Sequence, residues 1–376
     1  MSSKLRVGII FGGRSAEHEV SLVSAASVMK ALDKEKYEIV PIGITPEGRW
    51  LATTDALKLL KEKAYVGSFP EHILPPDPTK RALISIDGSW FGSRRKAVDV
   101  IFPLVHGTYG EDGTLQGLFE LADIPYVGAG VLGSAVGMDK VIQKQLLQHA
   151  GIPVAAGVWF LASEFQRDHK GIIKRIERRL RYPLFVKPAN LGSSVGISKA
   201  RKREELVEGI RIASEYDRKI LVEQGIVNAR EIECSVLGND DPIASVPGEI
   251  IPSNEFYDYD AKYVDGKSKA VIPARLPAKV KKTVRQYSVD AFKVLGCEGM
   301  ARVDFLVQKR TNRIYLNEIN TIPGFTSISM YPKLWQASGI SYPELLDRLI
   351  QLAFERHIAK QRLKTTYRPK EDWYKH

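Results

Sequence analysis

The spacing of hydrophobic and polar positions changes along the chain and predicts a different arrangement for each part. In the first part, an apolar strand at 5–11 is followed by a helix at about 19–32 and a strand at 38–44. Strands that alternate with helices predict a parallel sheet. The nearly continuous apolar run at 98–105 is typical of a central strand that is buried on both faces.

Turn residues then predict the shorter elements of this part. Residues 82–86 and 90–91 flank Asp87-Gly88-Ser89, a pattern that indicates a hairpin. A helix at 114–122 and a short strand at 124–127 follow. The glycine-rich segment 128–137 then makes the best domain boundary.

Past this boundary the pattern favours an antiparallel sheet with helices on one side. Asp139 can cap a helix that runs to Ala150, with Val141, Ile142, Leu146 and Leu147 as its apolar stripe. The strands are expected at 184–187, 196–199 and 219–223, with a helix at 204–214.

The third part opens with strands at 231–237 and 243–251 and passes through a long polar loop. A helix at 278–295, a strand hairpin and a closing helix at 342–359 follow. The whole chain is therefore expected to be α/β and α+β, with three domains at 1–129, 130–226 and 227–376.

The hairpin of the third part carries the most specific chemistry. If residues 309–312 turn the chain, positions whose numbers sum to about 622 lie opposite each other, which places Asp304 beside Glu318. Alternation along the strand puts Glu318 and Asn320 on one face. Two carboxylates and an amide oxygen suit Mg²⁺ that is shared with substrate phosphates. The alternative is a polar hairpin face without a metal.

Composition narrows the class of protein. The chain has 376 residues, of which 44% are hydrophobic, and it lacks a segment of the length and apolar character of a membrane span. The first apolar run ends at Gly12-Gly13 and is too short for the core of a signal peptide, so we expect a cytoplasmic protein. Cys234 and Cys297 are far apart and are expected to be reduced core thiols.

The net charge of +11 raises the question of a nucleic-acid partner. The densest basic cluster, at 167–181, lies on a helical stretch whose apolar positions form a buried stripe, which makes its charges a solvated face. Aromatic residues for base stacking are almost missing from it. Nucleic-acid binding is therefore not expected, and positive charge also suits an anionic substrate such as ATP.

Two segments are candidates for binding phosphate. The loop from Lys187 to Gly196 joins two strands, and its small residues let backbone amides approach phosphate oxygens while Lys187 adds a charge. A tight hairpin is the alternative. Lys140, at a helix start, offers a second cation.

Three further segments are candidates for substrate contacts. The strand end 221–226, followed by Arg230-Glu231, could contact adenine and ribose, or it could be a linker. The mixed aromatic and charged loop 256–263 is typical of loops that close over active sites. Glu17 follows the first strand, where ligands of parallel sheets bind, although it could instead merely favour the helix dipole.

Seven strings in order carry a resemblance across nearly the whole chain. They are GGRSAEHEVSL at 12–22, HGTYGEDGTLQG at 106–117, MDK at 138–140, VKPANLGSSVG at 186–196, FYDYDAKY at 256–263, ARVDF at 301–305 and NEINTIPGFT at 317–326. Together they resemble the D-alanine:D-alanine ligases of the ATP-grasp superfamily. The resemblance implies an ATP-grasp fold preceded by a Rossmann-like N-terminal domain. It also implies a homodimer.

The implied reaction uses ATP to phosphorylate the carboxylate of one D-alanine, after which the amine of a second D-alanine attacks the acyl phosphate. A phosphate leaving group makes a carboxylate electrophilic enough for amide formation, and two Mg²⁺ ions, or Mn²⁺, with the lysines would offset the charge. The dipeptide serves peptidoglycan synthesis. A D-alanine:D-serine or D-alanine:D-lactate ligase, or another carboxylate-amine ligase of this superfamily, is the alternative.

The resemblance also implies roles for particular residues. Glu17 holds the ammonium of the first D-alanine, with Ser21 and His106 near that subsite, and Arg302 with the Gly324 amide forms an oxyanion hole. Ser193, Ser194 and Tyr263 link the loop at 187–196, here termed the phosphate loop, to the loop at 256–263, and Lys262 reaches the phosphate. Ser329 and the Met330 amide bind the second carboxylate. The implied nucleotide contacts are Lys140, Lys187, Ser194, Glu223, Gln224, Ile226, Glu231 and Asn317, and the implied metal ligands are Asp304, Glu318 and Asn320.

Two positions bear on specificity. Tyr263 favours D-alanine as second substrate, because the resemblance implies that ligases accepting D-lactate lack a tyrosine in this loop. Gln224 departs from the family pattern, since many relatives place a lysine at the adenine hinge. Purine contacts there are therefore expected from backbone groups.

Overall fold

The computed structural model describes residues 4–64, 70–86, 95–192, 194–252 and 269–367. Its first part contains β1 (Leu5–Gly12), α1 (His18–Ala31), β2 (Tyr37–Ile44), β3 (Trp50–Leu51), α2 (Ala56–Lys61), β4 (His72–Ile73), β5 (Ala82–Ser85), β6 (Arg95–Ala97), β7 (Val100–Pro103) and α3 (Thr114–Leu121). The main sheet has the order β3-β2-β1-β7, and β1 pairs in parallel with both β2 and β7. The predicted parallel sheet is confirmed.

Three details of this part differ from the prediction. β7 ends the strand order of the main sheet instead of lying at its centre, although all four of its residues are buried. The expected strand at 124–127 is reduced to a single bridge between Ile101 and Tyr126 in the described chain. β5 pairs with β6, and β4 completes a small antiparallel sheet, whereas the predicted hairpin partner at 90–91 lies outside the described residues.

The second part contains α4 (Val131–Met138), α5 (Lys140–His149), β8 (Gly157–Leu161), α6 (Ala162–Arg167), α7 (His169–Arg179), β9 (Leu184–Pro188), β10 (Ser198–Ala200), α8 (Arg203–Ser214) and β11 (Lys219–Gln224). Its sheet has the order β10-β9-β11-β8 with antiparallel pairing throughout, as predicted. The basic stretch is confirmed as a helix, α7, whose Ile172, Ile173 and Ile176 are buried.

The glycine-rich segment proposed as a domain boundary contains a helix that was not predicted, since Val131–Met138 forms α4. Asp139 does cap α5, accepting hydrogen bonds from the amides of Val141 and Ile142 at 3.0 and 3.1 Å. The predicted apolar stripe of α5 is only half right. Ile142 and Leu146 are more than one third exposed, while two lysines of the same helix are buried.

The third part contains β12 (Ala229–Gly238), β13 (Ile243–Ala244), β14 (Gly248–Ile251), β15 (Lys269–Val271), α9 (Ala278–Val294), β16 (Gly299–Gln308), β17 (Ile314–Asn320), α10 (Met330–Ala337) and α11 (Tyr342–Gln361). The sheet order is β15-β14-β12-β16-β17, with β13 also paired to β12. The single strand expected at 243–251 is divided into β13 and β14. Pro247 lies at this break, where it lacks an amide proton for the ladder.

The predicted register of the hairpin is confirmed. Arg302 lies opposite Asn320 and Asp304 lies opposite Glu318, and an irregularity after Asp304 then shifts the pairing by one residue. The polar turn closes through a hydrogen bond from the Asn312 amide to the Gln308 carbonyl.

The cores show how the parts are joined. One cluster combines residues of the first sheet, such as Val7 and Phe102, with Trp335 of α10 and Leu345 and Leu349 of α11. The second sheet has a separate core beneath α7 and α8. Among the described residues, no helix has the length and apolar character needed to cross a membrane.

Candidate active site

A cleft of about 420 Å³ lies between the sheet of β8 to β11 and the sheet of β12 to β17. The structure brings all eight predicted nucleotide contacts to its lining, together with Arg302 and the two predicted metal carboxylates. These residues are Lys140, Lys187, Ser194, Glu223, Gln224, Ile226, Glu231, Asn317, Arg302, Asp304 and Glu318. Asn320 borders a small adjoining space with Glu111 and Gly192.

The predicted metal-ligand side chains lie on one face of β16 and β17, in the predicted register. The Arg302 guanidinium donates two hydrogen bonds of 2.7 Å to the two carboxylate oxygens of Asp304. Nδ2 of Asn320 donates to Oδ2 of Asp304 at 3.1 Å, so its amide oxygen is not the atom that faces this carboxylate. Two cross-strand carboxylates with an adjacent amide oxygen form a hard donor set that fits Mg²⁺ with phosphate oxygens completing its coordination.

Lys140 connects this face to the phosphate loop. Its ammonium donates to the Leu191 carbonyl at 2.7 Å and lies 3.5 Å from Oε2 of Glu318. It is almost fully buried, since only 5% of its surface is exposed. A cation held between the loop and the carboxylate is placed to attract a phosphoryl group.

A buried carboxylate in the wall of the cleft is shared by two lysines. Glu223 lies 2.7 Å from the ammonium of Lys144 and 2.6 Å from that of Lys187. Lys144 also donates to the Asn317 carbonyl at 2.8 Å, and Lys187 donates to the Asn317 side chain at 3.3 Å. Burial disfavours the charged carboxylate, but the two ammonium groups outweigh that effect and lower the pKa of Glu223 to about 2.

The pKa values of the two lysines of this cluster shift in opposite directions, although burial acts to lower both. Burial prevails at Lys144 and lowers its pKa. At Lys187 burial also favours the neutral amine, yet the charge of Glu223 prevails and the pKa is raised. Lys187 is therefore held as a cation at the cleft wall.

At the end of β11, the side chain of Gln224 is hydrogen-bonded to the protein backbone. The carboxamide of Gln224 accepts a hydrogen bond from the Arg181 amide at 2.6 Å and donates one to the Arg181 carbonyl. The adjacent Gly225 amide bonds to the Pro183 carbonyl at 2.9 Å. The Gln224 side chain is therefore engaged with the backbone of Arg181, and residues 224–226 line the cleft.

Glu17 lies at the start of α1 and is 7% exposed. Its Oε2 approaches two glycines so closely that a Cβ on either Gly107 or Gly192 would lie 2.7 Å from it. Gly192 belongs to the phosphate loop, so this loop covers the Glu17 carboxylate. The nearby Ser21 hydroxyl is buried and donates to the Leu104 carbonyl at 2.6 Å while accepting from the Gly12 amide, which ties the ends of two strands together.

His106 links the first sheet to the loop after β17. Its Nδ1 lies 3.0 Å from the Ile322 carbonyl and its Nε2 lies 3.0 Å from the Ser24 hydroxyl, which accepts from the Phe325 amide at 3.3 Å. Burial favours the neutral imidazole, but the hydrogen bond and charge of Glu111 outweigh it and raise the pKa of His106.

The loop after β17 leads to the start of α10. The Ser329 hydroxyl accepts from the Thr326 amide at 3.0 Å, and it lies 2.7 Å from where a Cβ on Gly324 would be. Met330 is the first residue of α10, so its amide lies at the positive end of the helix dipole. Its side chain is buried against Ile250 and Leu334.

Ser193, Lys262 and Tyr263 lie outside the described residues. Four further residues contribute to the site and were not predicted from the sequence: Lys144, Glu233, Ser24 and Glu111. Lys144 follows Lys140 by one helical turn, and Glu233 follows Glu231 by two positions on a strand. These spacings place each pair on one face and were the available signal.

Comparisons with known proteins agree with this geometry. The family model described as D-ala D-ala ligase N-terminus matches residues 6–129, and the model described as D-ala D-ala ligase C-terminus matches residues 146–351. The D-alanine--D-alanine ligase of Natranaerobius thermophilus is 52% identical, with 97% of this chain and 99% of that protein covered. The chain belongs to the D-alanine:D-alanine ligase family.

Solved structures show the same relation to this family. A D-alanine-D-alanine ligase from Coxiella burnetii has 41% identity and a TM-score of 0.82, covering 96% of this chain and 97% of that one. VanG D-Ala:D-Ser ligase from Enterococcus faecalis has 39% identity and a TM-score of 0.82, covering 93% and 100%. The ATP-grasp fold with its N-terminal domain is confirmed.

Proposed function

We propose that this protein joins two molecules of D-alanine to D-alanyl-D-alanine, using ATP and forming ADP and phosphate for peptidoglycan synthesis. The observation that carries the proposal is the position of the phosphate loop. Gly192 of this loop contacts the carboxylate of Glu17, while the carbonyl of Leu191 binds Lys140 beside Glu318. A single loop thus borders both an ammonium-binding carboxylate and a phosphate-binding cation.

ATP fits the cleft between the two sheets. The backbone at 224–226 would meet the adenine edge, the Glu231 carboxylate would meet the ribose, and Lys140, Lys187 and Ser194 would meet the phosphates. Asp304, Glu318 and Asn320 would hold two Mg²⁺ ions, with Mn²⁺ as an alternative. When bound, these ions neutralise charge on the transferring phosphoryl group.

The proposed reaction has two steps. A carboxylate oxygen of the first D-alanine attacks the terminal phosphorus of ATP, and the bond to ADP breaks. The amine of the second D-alanine then attacks the acyl carbon, loses a proton, and expels inorganic phosphate. Lys140 and Lys187 would stabilise the charge in the first step, and Arg302 with the Gly324 amide would stabilise the oxyanion in the second.

The two D-alanine molecules would be bound by groups outside the nucleotide cleft. Glu17 would bind the ammonium of the first D-alanine, within a wall that includes His106 and is braced by Ser21. Ser329 and the Met330 amide would bind the carboxylate of the second. Ser193, Lys262 and Tyr263 complete the proposal through the family resemblance alone.

We also propose a role for each domain, a cellular location and an oligomeric state. We assign the first D-alanine to residues 1–129, the phosphate loop to 130–226 and the metal face to 227–376, which agrees with the separate sheets. We expect a cytoplasmic homodimer without nucleic-acid or membrane partners.

The test measures phosphate release and dipeptide mass with ATP, Mg²⁺ and D-alanine. D-serine, D-lactate and L-alanine in the second position separate the proposed reaction from its alternatives. Glu17→Gln should raise the KM of the first D-alanine at least ~10-fold, because it removes a charge partner of the ammonium. Glu19→Gln, on the exposed side of the same helix turn, is the matched control. A main product other than D-alanyl-D-alanine would refute the proposal.

A further inference from the structure

The floor of the cleft carries the carboxylate of Glu233, to which the proposed reaction assigns no role. Glu233 lies on β12 directly opposite Asp304, and only 6% of its surface is exposed. Its Oε2 is 3.0 Å from Nε of Arg302. The same guanidinium makes the two 2.7 Å hydrogen bonds to Asp304. Arg302 is therefore shared between two carboxylates on neighbouring strands.

A divalent ion that binds to Asp304 would compete with Arg302 for this carboxylate. Asp304 would then face both the ion and Arg302, and like charges around a single carboxylate repel each other. Asp304 also accepts a hydrogen bond from Asn320, so its oxygens are already heavily engaged. A second counter-charge that stays with the guanidinium would relieve this competition.

We propose that Glu233 is a positioning residue that holds Arg302 when Asp304 takes up a divalent ion, which leaves the guanidinium in place to face the reacting acyl group. This inference rests on the proposed metal role of Asp304. Glu233 acts through Arg302 and is not itself a metal ligand.

The test measures Mn²⁺ binding to the full chain in the presence of ADP by electron paramagnetic resonance, without turnover. Glu233→Gln should weaken Mn²⁺ binding ~10-fold, because Arg302 then depends on Asp304 and competes with the ion. Arg302→Met removes this competitor and should strengthen binding. In the Arg302→Met background, Glu233→Gln should have no further effect.

A matched control exists in the same sheet. Glu249 forms a similar, mostly buried pair with Arg230 and does not line the cleft. Glu249→Gln removes the same charge and should leave Mn²⁺ affinity unchanged. Glu233→Asp, which keeps the charge at a shorter reach, should bind Mn²⁺ with an affinity between those of the parent and Glu233→Gln, and it serves if Glu233→Gln does not fold.

Two results would overturn the inference. Equal weakening by Glu233→Gln in both backgrounds would mean that Glu233 acts directly on the ion, and no weakening in the parent background would mean that Asp304 alone holds Arg302. Failure of the parent protein to bind Mn²⁺ with ADP would instead remove the proposed metal site, and this inference with it. Dipeptide synthesis by the unsubstituted protein is measured separately and tests the proposed function.

Discussion

Replacing Glu223 by glutamine should destabilise the protein strongly, because two buried ammonium groups would lose their shared carboxylate. Lys144 and Lys187 lie 2.7 and 2.6 Å from its oxygens. Removing one partner of a buried ion pair costs roughly 3–5 kcal/mol. The lowering of the Glu223 pKa from 4.5 to about 2 corresponds to about 3 kcal/mol, which agrees in size.

Urea unfolding followed by circular dichroism measures this loss. With an m-value of about 3 kcal/mol/M, the midpoint should fall by about 1 M or more. The double variant Glu223→Gln/Lys144→Met should be more stable than Glu223→Gln, because it buries one uncompensated charge fewer. A double variant that is less stable than the single one would refute the reasoning.

The contribution of Glu223 to the free energy of unfolding depends on pH. The folded-state pKa of Glu223 is below its unfolded value, so its contribution is fully present above about pH 4.5 and is lost as the pH falls toward 2. The difference in free energy of unfolding between parent and Glu223→Gln should therefore shrink below about pH 4.5. A gap that stays constant from pH 7 to pH 3 would contradict the assigned pKa.

Three further changes test other contacts. Gly192→Ala places a Cβ 2.7 Å from Oε2 of Glu17 and should raise the KM of the first D-alanine at least ~10-fold with little change in ADP affinity, whereas Gly117→Ala meets no atom within 4 Å and should be neutral in steady-state kinetics. Ser24→Ala breaks the link between the buried imidazole and the loop after β17. It should lower kcat/KM for D-alanine by ~10-fold, and it should also lower the thermal midpoint because it leaves buried polar groups without a partner. An unchanged kcat/KM would exclude this positioning role. Burial raises the pKa of Cys297 to about 12, so it should not react with a disulfide reagent at pH 8 until urea unfolds the chain, and rapid reaction in the native state would contradict its burial.

The sequence predicted the hairpin well because register follows from one turn and a period of two. The pairing of Asp304 with Glu318 required only the location of that turn. The alternation of strands with helices also predicted the parallel sheet, and its strands were recognised because they are almost wholly apolar. In these segments the burial pattern and the local propensity favour the same structure.

Prediction failed where a functional or tertiary contact overrode the local pattern. In α5 the inner face carries Lys140 and Lys144, while Ile142 and Leu146 lie outward, so the apolar stripe misassigned half of the helix. Burial of those lysines depends on Glu223 and Glu318, far away in sequence. α4 was not predicted within the glycine-rich segment 128–137, where a Cβ on Gly133 would lie 2.5 Å from the Gly296 carbonyl oxygen. Close packing, and not a turn, explains that glycine.

The core shared by β1, β7 and α11 has a consequence for synthesis of the chain. Leu345 and Leu349, which help to cover Val7 and Ile9, leave the ribosome more than 300 residues after them. The second sheet completes its own core within 158–222 and has no such delay. During translation the middle of the protein can therefore fold while the first sheet still lacks its partner helix, and the apolar face of that sheet needs protection from aggregation until the last helix arrives.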